Sequence, residues 1–308
     1  MSIKNKLKLI AGMVISFALI IMAITLNKSL HEKTAIEQAK HLNILSQKLS
    51  LLIHETQKER GMSAGFIGSK GKKFSDALPK QRVLMSKKNT ELDNYTATLD
   101  LNSFPQELKN ELLAFNEDMS RVNQIRSQVD SLSISVKDEV TYYTKMNKKI
   151  LNIVALTAKL ADTQKLVKAL DAYTNFLKSK ERVGIERAVL SGTFGADKFG
   201  NGMFAKFITL IAEQNAYMDS FLSMATTKTK EFYKKKMNSP VIGEVNKMRD
   251  IAKAKANEGN FGIDSVVWFK TISKKINLLK QVDDELARQN SILLKEIEES
   301  SKQKLLQH

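Results

Sequence analysis

Two hydrophobic patterns divide this chain. The first is unbroken. Leu9–Leu26 reads LIAGMVISFALIIMAITL, 18 residues without a charge, about the length a helix needs to cross a bilayer. It is apolar on every side, unlike a helix that packs one face on a soluble core. Lys4, Lys6 and Lys8 precede it, and no acid occurs before Glu32. The positive-inside rule then keeps residues 1–8 in the cytoplasm, makes 9–27 a transmembrane helix and exports 28–308. A cleaved signal peptide calls for a shorter run with small residues before the cut. Here the run ends Met22-Ala-Ile-Thr-Leu-Asn-Lys28, a poor match. No second run of this kind follows. The expected location is the bacterial inner membrane, single-pass, with the bulk of the chain in the periplasm. A returning span would belong to a longer receptor.

The second pattern is periodic. Leu42, Leu45, Leu49, Leu52 and Thr56 recur at spacings of three and four, one face of a long helix. The same texture continues to the end, interrupted by polar or glycine-rich stretches at 68–73, 102–105, 131–135, 192–202, 238–240 and 257–262. Cutting there predicts seven or eight helices after the anchor, most of 20 to 40 residues. Ser103 is placed to cap a helix starting near Pro105. Long helices with short polar connections form antiparallel bundles. The expected fold is all-α: an N-terminal transmembrane helix, then two stacked four-helix-type bundles. Only three prolines and 7% aromatic residues agree with that class.

Composition removes several functions. Without cysteine there is no thiolate metal site, disulfide frame or cysteine nucleophile. Four scattered histidines, His31, His41, His54 and His308, do not make a metal centre. No triad or phosphate loop is present, so neither an enzyme nor a cofactor is expected. Setting aside Lys4, Lys6 and Lys8 leaves 46 basic residues against 33 acids. That excess would draw small anions into a basic cleft. No zinc spacing, ribonucleoprotein motif or basic-aromatic platform points to nucleic acid.

A faint repeat concentrates the remaining chemistry. Glu59-Arg-Gly-Met-Ser-Ala-Gly-Phe66 is echoed by Glu186-Arg-Ala-Val-Leu-Ser-Gly-Thr-Phe194, and a glycine-containing basic loop follows each copy. The first apolar stripe continues through positions 59, 60 and 63. The second runs Leu166, Leu170, Tyr173, Leu177, Lys180, Gly184, Arg187. Arg60 and Arg187 therefore turn inward. A buried arginine keeps its proton and needs an anion. Two readings stay open. One is internal pairing: Arg60 with Glu186, Arg187 with Glu59, or an i to i+4 pair. The other is two guanidinium forks converging on a small external oxyanion. Gly61, Gly65, Gly184 and Gly192 would each cost a helix about 1 kcal/mol relative to alanine, which suggests close helix approach or a ligand against backbone. His54 and the Trp268-Phe269 pair read as core. Glu55, Glu59, Glu181 and Glu186 read as salt-bridge partners of the arginines, and Arg182 as a surface residue or a substitute contact.

These elements, Gln57-Lys-Glu-Arg-Gly61, Glu181-Arg-Val-Gly-Ile-Glu-Arg-Ala188, Tyr142-Tyr-Thr-Lys-Met-Asn147 and Trp268-Phe269, together resemble the nitrate- and nitrite-sensing (NIT) domain over residues 45–285. The resemblance implies a helical sensory region that binds nitrate or nitrite through arginines inside the bundle. Carried over residue by residue, it implies Arg60 and Arg187 as ligands, with a third basic contact from the late helix. That stretch offers Lys274 and Lys275 instead of arginine, and a lysine lacks the two-pronged fork. An anchor followed by this domain resembles the outer half of a methyl-accepting chemotaxis receptor, which implies a homodimer and a cytoplasmic output region. The rival expectation is a helical interaction or dimerisation module whose arginines are structural.

Overall fold

The computed structural model describes residues 2–160 and 163–306. Among them every regular element is a helix. α1 (Ile3–Gly68) is one continuous helix of 66 residues. The apolar segment and the first bundle helix are therefore fused, with no break after position 27. Its apolar N-terminal window has a mean hydropathy of 2.7 and packs against nothing. The stripe of Leu42, Leu45, Leu49 and Leu52 is at most 3% exposed. Burial of that kind stabilises by roughly 1.5–3 kcal/mol per side chain and holds the C-terminal half of α1 to its neighbours.

α2 (Ala77–Thr96), α3 (Gln106–Ser120), α4 (Val122–Asp130) and α5 (Val136–Lys159) complete a first bundle with α1. α6 (Gln164–Ala196), α7 (Met203–Met224), α8 (Thr227–Met237), α9 (Pro240–Ala254) and α10 (Ser265–Leu306) build the second. The two are stacked flank to flank. α1 and α6 lie against each other and end at the same tip, while α5 and α10 start there and run back down. One hydrophobic core runs through both halves. A small satellite cluster of Ala158, Leu166, Leu170, Leu293 and Leu294 closes the lower end. α10 returns beside α1 as far as Glu32, where Ser301 Oγ donates to Glu32 Oε2 at 3.2 Å, and Lys40 pairs with Glu298 at 2.7 Å.

The local signals explain most boundaries. Ser135 caps α5 by accepting from the Asp138 amide at 3.0 Å, and Thr163 caps α6 by accepting from Leu166 N at 3.2 Å. α1 closes through the Gly71 amide donating to Phe66 O at 2.8 Å, with Gly71 at φ +80°, a conformation suited to glycine. Three expectations differ. Ser103 sits in a short 3-10 turn at Leu101–Ser103, and Pro105 takes the capping position of α3. Gly192 and Gly195 lie inside α6, which runs on to Ala196. Connections at Arg121 and at Ala225-Thr226 carry no proline or glycine, and there α3 (15 residues) parts from α4 (9 residues) and α7 (22 residues) from α8 (11 residues).

Candidate functional site

The repeated Glu-Arg elements meet where α1 and α6 cross. All four side chains are fully buried: Glu59, Arg60, Glu186 and Arg187 are each 0% exposed. Each glutamate is locked by an arginine from the third element of its own half. Arg126 of α4 donates to Glu59 from Nε at 2.7 Å and Nη2 at 2.8 Å, and the Tyr143 hydroxyl adds a third bond at 2.7 Å. Arg249 of α9 donates to Glu186 from Nε and Nη2, both at 2.6 Å, and Gln214 Nε2 adds one at 2.7 Å. These parallel forks are strong, charge-assisted pairs. They use up both glutamates. Neither Arg60–Glu186 nor Arg187–Glu59 forms, because each carboxylate faces outward within its own half.

The two inward arginines are treated differently. Arg60 Nη1 donates to Glu181 Oε1 at 2.6 Å and to Thr144 Oγ1 at 3.1 Å, and Nη2 reaches Glu181 Oε2 at 3.2 Å. The same carboxylate also accepts from Gln57 Nε2 at 2.6 Å and from Asn147. Arg187 has no carboxylate. Its Nη1 donates to Ser273 Oγ at 2.8 Å, its guanidinium lies 4.7 Å from the Phe269 ring centroid, and Nε and Nη2 have no partner among the described residues. Arg60 Nε and Gln57 Oε1 are likewise unpartnered. Burial, then the adjacent Arg60 charge, push the Arg187 guanidinium down to about 9. Arg60 takes the Glu181 carboxylate and the Arg187 charge is left unpaired among the described residues, so this buried spot carries one uncompensated positive charge.

The glycines explain how two like charges are brought so close. A Cβ on Gly61 would lie 3.2 Å from Arg187 Nε and 2.8 Å from Phe269 Cε2. A Cβ on Gly184 would lie 3.0 Å from Arg60 Nη2. Each arginine thus lies over a glycine of the opposite helix. The indole of Trp268 donates to Arg187 O at 3.0 Å and pins that turn of α6 to α10. His54 is buried and held neutral, by desolvation first and then by Lys180, Lys58 and Arg187. Nearer the anchor, Asp283 of α10 accepts from Ser50, Tyr173 and Lys180 at 2.7, 2.8 and 2.8 Å, tying three helices together.

The structure places the two late-helix lysines apart from each other. Lys274 is exposed, because it falls on the outer face of α10. Lys275 is half-buried, and its neighbours in charge are Arg249 and Glu186. Burial, followed by Arg249, pushes its amine down to about 8. One residue earlier in the turn, Ser273 is what touches Arg187. Arg182 pairs with Glu213 at 3.0 Å on the surface and lies over Tyr217. Sequence reasoning missed Glu181 as the specific partner of Arg60, and it missed Arg126, Arg249 and Ser273 altogether. The two arginines were findable: Val122, Arg126 and Val129, and Val241, Val245, Arg249 and Ala252, follow helical stripes whose other members are buried.

The fold and this crossing define an all-α bundle organised around buried arginines. Residues 51–291 match the family described as nitrate and nitrite sensing, and the chain belongs to that NIT family. A nitrate regulatory protein of Klebsiella oxytoca is 20% identical over 255 residues, which are 82% of this chain and 63% of that protein. The chain therefore spans less than two thirds of that relative. The structure of the NasR transcription antiterminator superposes with a TM-score of 0.79 at 18% identity, covering 92% of this chain and 76% of that one. At that identity the likeness shows the fold.

Proposed function

We propose that this chain senses nitrate or nitrite outside the cytoplasmic membrane and that Arg60 and Arg187 hold the anion. The observation that carries the reading is the pair of unpartnered nitrogens, Nε and Nη2, on fully buried Arg187. They form one edge of a guanidinium, the geometry that grips two oxygens of a planar oxyanion. Arg60 Nε is free to donate to the same ligand. A monoanion would cancel the single excess charge and relieve the repulsion between the guanidiniums. Binding would favour the arrangement in which α1, α6 and α10 close around it. From Arg60 to Leu26, α1 is unbroken over about 50 Å at 1.5 Å per residue, so a shift at the site is delivered to the apolar segment. The uncharged N-terminal window supports membrane attachment, with residues 1–8 inside and the bundle outside. On this reading the output is that of a chemotaxis-type receptor working as a homodimer, and no enzyme activity is involved.

The rival view, an interaction module with structural arginines, is favoured at one point only, the Arg60–Glu181 pair at 2.6 Å. Titration calorimetry of the full chain in detergent micelles separates the two. Heat is expected with nitrate or nitrite and not with acetate, and loss of that heat in Arg187→Met. No heat with either anion, or the same heat in Arg187→Met, overturns the proposal.

A further inference from the structure

At the tip, about 12 Å beyond the arginines, the two repeat copies end in a second basic feature. Gly68 and Gly195 lie eight residues past Arg60 and Arg187 on their helices, and eight residues rise about 12 Å. A Cβ on Gly68 would meet Gly192 O at 2.5 Å, so the two helix ends touch. Just above this contact is a cavity of about 660 Å³, open to solvent. The turn after α1, the turn after α6 and the start of α10 line it.

Its charge is one-sided. Lys70, Lys72, Lys73 and Lys198 face Asp197 and Asp264. Both acids are already engaged. Asp264 accepts from Lys73 Nζ at 2.7 Å and from the Val266 and Val267 amides at 2.7 and 3.3 Å. Asp197 Oδ1 accepts from the Phe261 amide at 2.9 Å. Lys70, Lys72 and Lys198 make no side-chain hydrogen bond or ion pair among the described residues, and all three are exposed. The wall contributed by α10 adds an independent mark. Ser265 is 2% exposed, and its hydroxyl has no hydrogen-bond partner among the described residues. Buried hydroxyls without a partner are uncommon and are costly to leave so. This one is the first residue of the 42-residue α10, beside the Asp264 carboxylate that already takes the Val266 and Val267 amides.

We infer that this cleft is a second anion site, for a small multivalent oxyanion such as a di- or tricarboxylate or a phosphate ester. One acidic group reaches the Ser265 hydroxyl, and the others meet Lys70, Lys72 and Lys198. The volume lies within the range of small-molecule sites and is far larger than a single nitrate needs. The site stands independently of nitrate binding at the arginines.

The test uses the full chain in detergent micelles at low ionic strength, with saturating nitrate to fill the arginine site. Citrate and inorganic pyrophosphate are titrated by calorimetry, with acetate as the monovalent control. At least one of the two multivalent probes should bind with a submillimolar Kd that weakens with added salt, and acetate should not. The triple variant Lys70→Gln/Lys72→Gln/Lys198→Gln should lose at least tenfold in affinity while keeping its melting temperature. Ser265→Ala, which alters no exposed charge, should lose severalfold and keeps the test valid if the triple variant folds poorly. Arg187→Met should bind the probe as the unaltered chain does. No binding of either probe, unchanged affinity in both cleft variants, or loss in Arg187→Met overturns the assignment. The last outcome would place the probe at the arginines.

Discussion

Replacing Arg187 with methionine should stabilise the anion-free protein, although the side chain is fully buried. Burial and the Arg60 charge push this guanidinium well below the ordinary arginine value, to about 9, a penalty on the order of 5 kcal/mol at 1.36 kcal/mol per unit. Against it stand one hydrogen bond to Ser273 at 2.8 Å and the contact over Phe269 at 4.7 Å, each worth about 1 kcal/mol. A methionine of similar length fills the space, and Ser273 is half-buried and can turn to water. The net expectation is a gain of roughly 1–3 kcal/mol, in the range seen when buried charges are replaced by apolar groups. Arg60→Met should do the opposite. It strands Glu181, 2% exposed, and should lose roughly 3–5 kcal/mol. Thermal unfolding followed by far-ultraviolet circular dichroism reads both, at about 2–4 °C per kcal/mol for a domain of this order. Nitrate at a hundredfold excess over its Kd should then add about 2.7 kcal/mol to the unaltered chain and nothing to Arg187→Met. If Arg187→Met melts as early as Arg60→Met without any anion, Arg187 is a structural ion-pair member and the excess-charge reasoning fails.

Three further expectations concern the supports of the site. Glu139 is fully buried with both oxygens unpartnered, and desolvation raises its carboxyl well above the usual range against the pull of Arg60. A raised acid contributes stability below the unfolded value near 4.5 and loses it as pH rises; neutral His54 works the other way, its contribution fading as pH falls below 6.5. The two slopes oppose each other between pH 4.5 and 6.5, so Glu139→Gln should melt higher at pH 7 and show a steeper rise across that window; parallel melting curves would refute this. Arg249→Met should cost roughly 3–5 kcal/mol by stranding Glu186, read by urea unfolding, and a loss under 1 kcal/mol would contradict a fully formed fork. Gly68→Ala drives a methyl to 2.5 Å from Gly192 O and should destabilise by about 1–3 kcal/mol, whereas Gly243→Ala, with open space around it, should stabilise slightly; equal effects would remove the close approach of α1 and α6.

The all-α fold and the inward turn of both Glu-Arg elements were legible because helical periodicity is a local signal. Leu42 to Arg60 and Leu166 to Arg187 each form one continuous stripe, and every member is buried. Partner choice was not legible. Glu59 faces Arg126, and Glu186 faces Arg249, because α4 and α9, distant in sequence, bring those side chains to α1 and α6, a tertiary event that spacing on α1 or α6 does not encode. The same holds for Ser273. Lys274 and Lys275 bear the chemistry expected of a third ligand, yet the phase of α10 turns the first outward and directs the second to the Arg249 fork. Splits at Arg121 and Ala225 escaped notice because neither uses glycine or proline.

The continuity of α1 has a mechanical corollary. Between the apolar window and the bundle, His31–Thr34 is an exposed piece of the same rod. Lengthening the rod there by one residue would rotate the anchor by about 100° and displace it by about 1.5 Å, whereas seven residues, nearly two turns, would almost restore the starting azimuth at a greater height. An insertion ladder across this neck can therefore tell whether the signal travels as torque or as thrust.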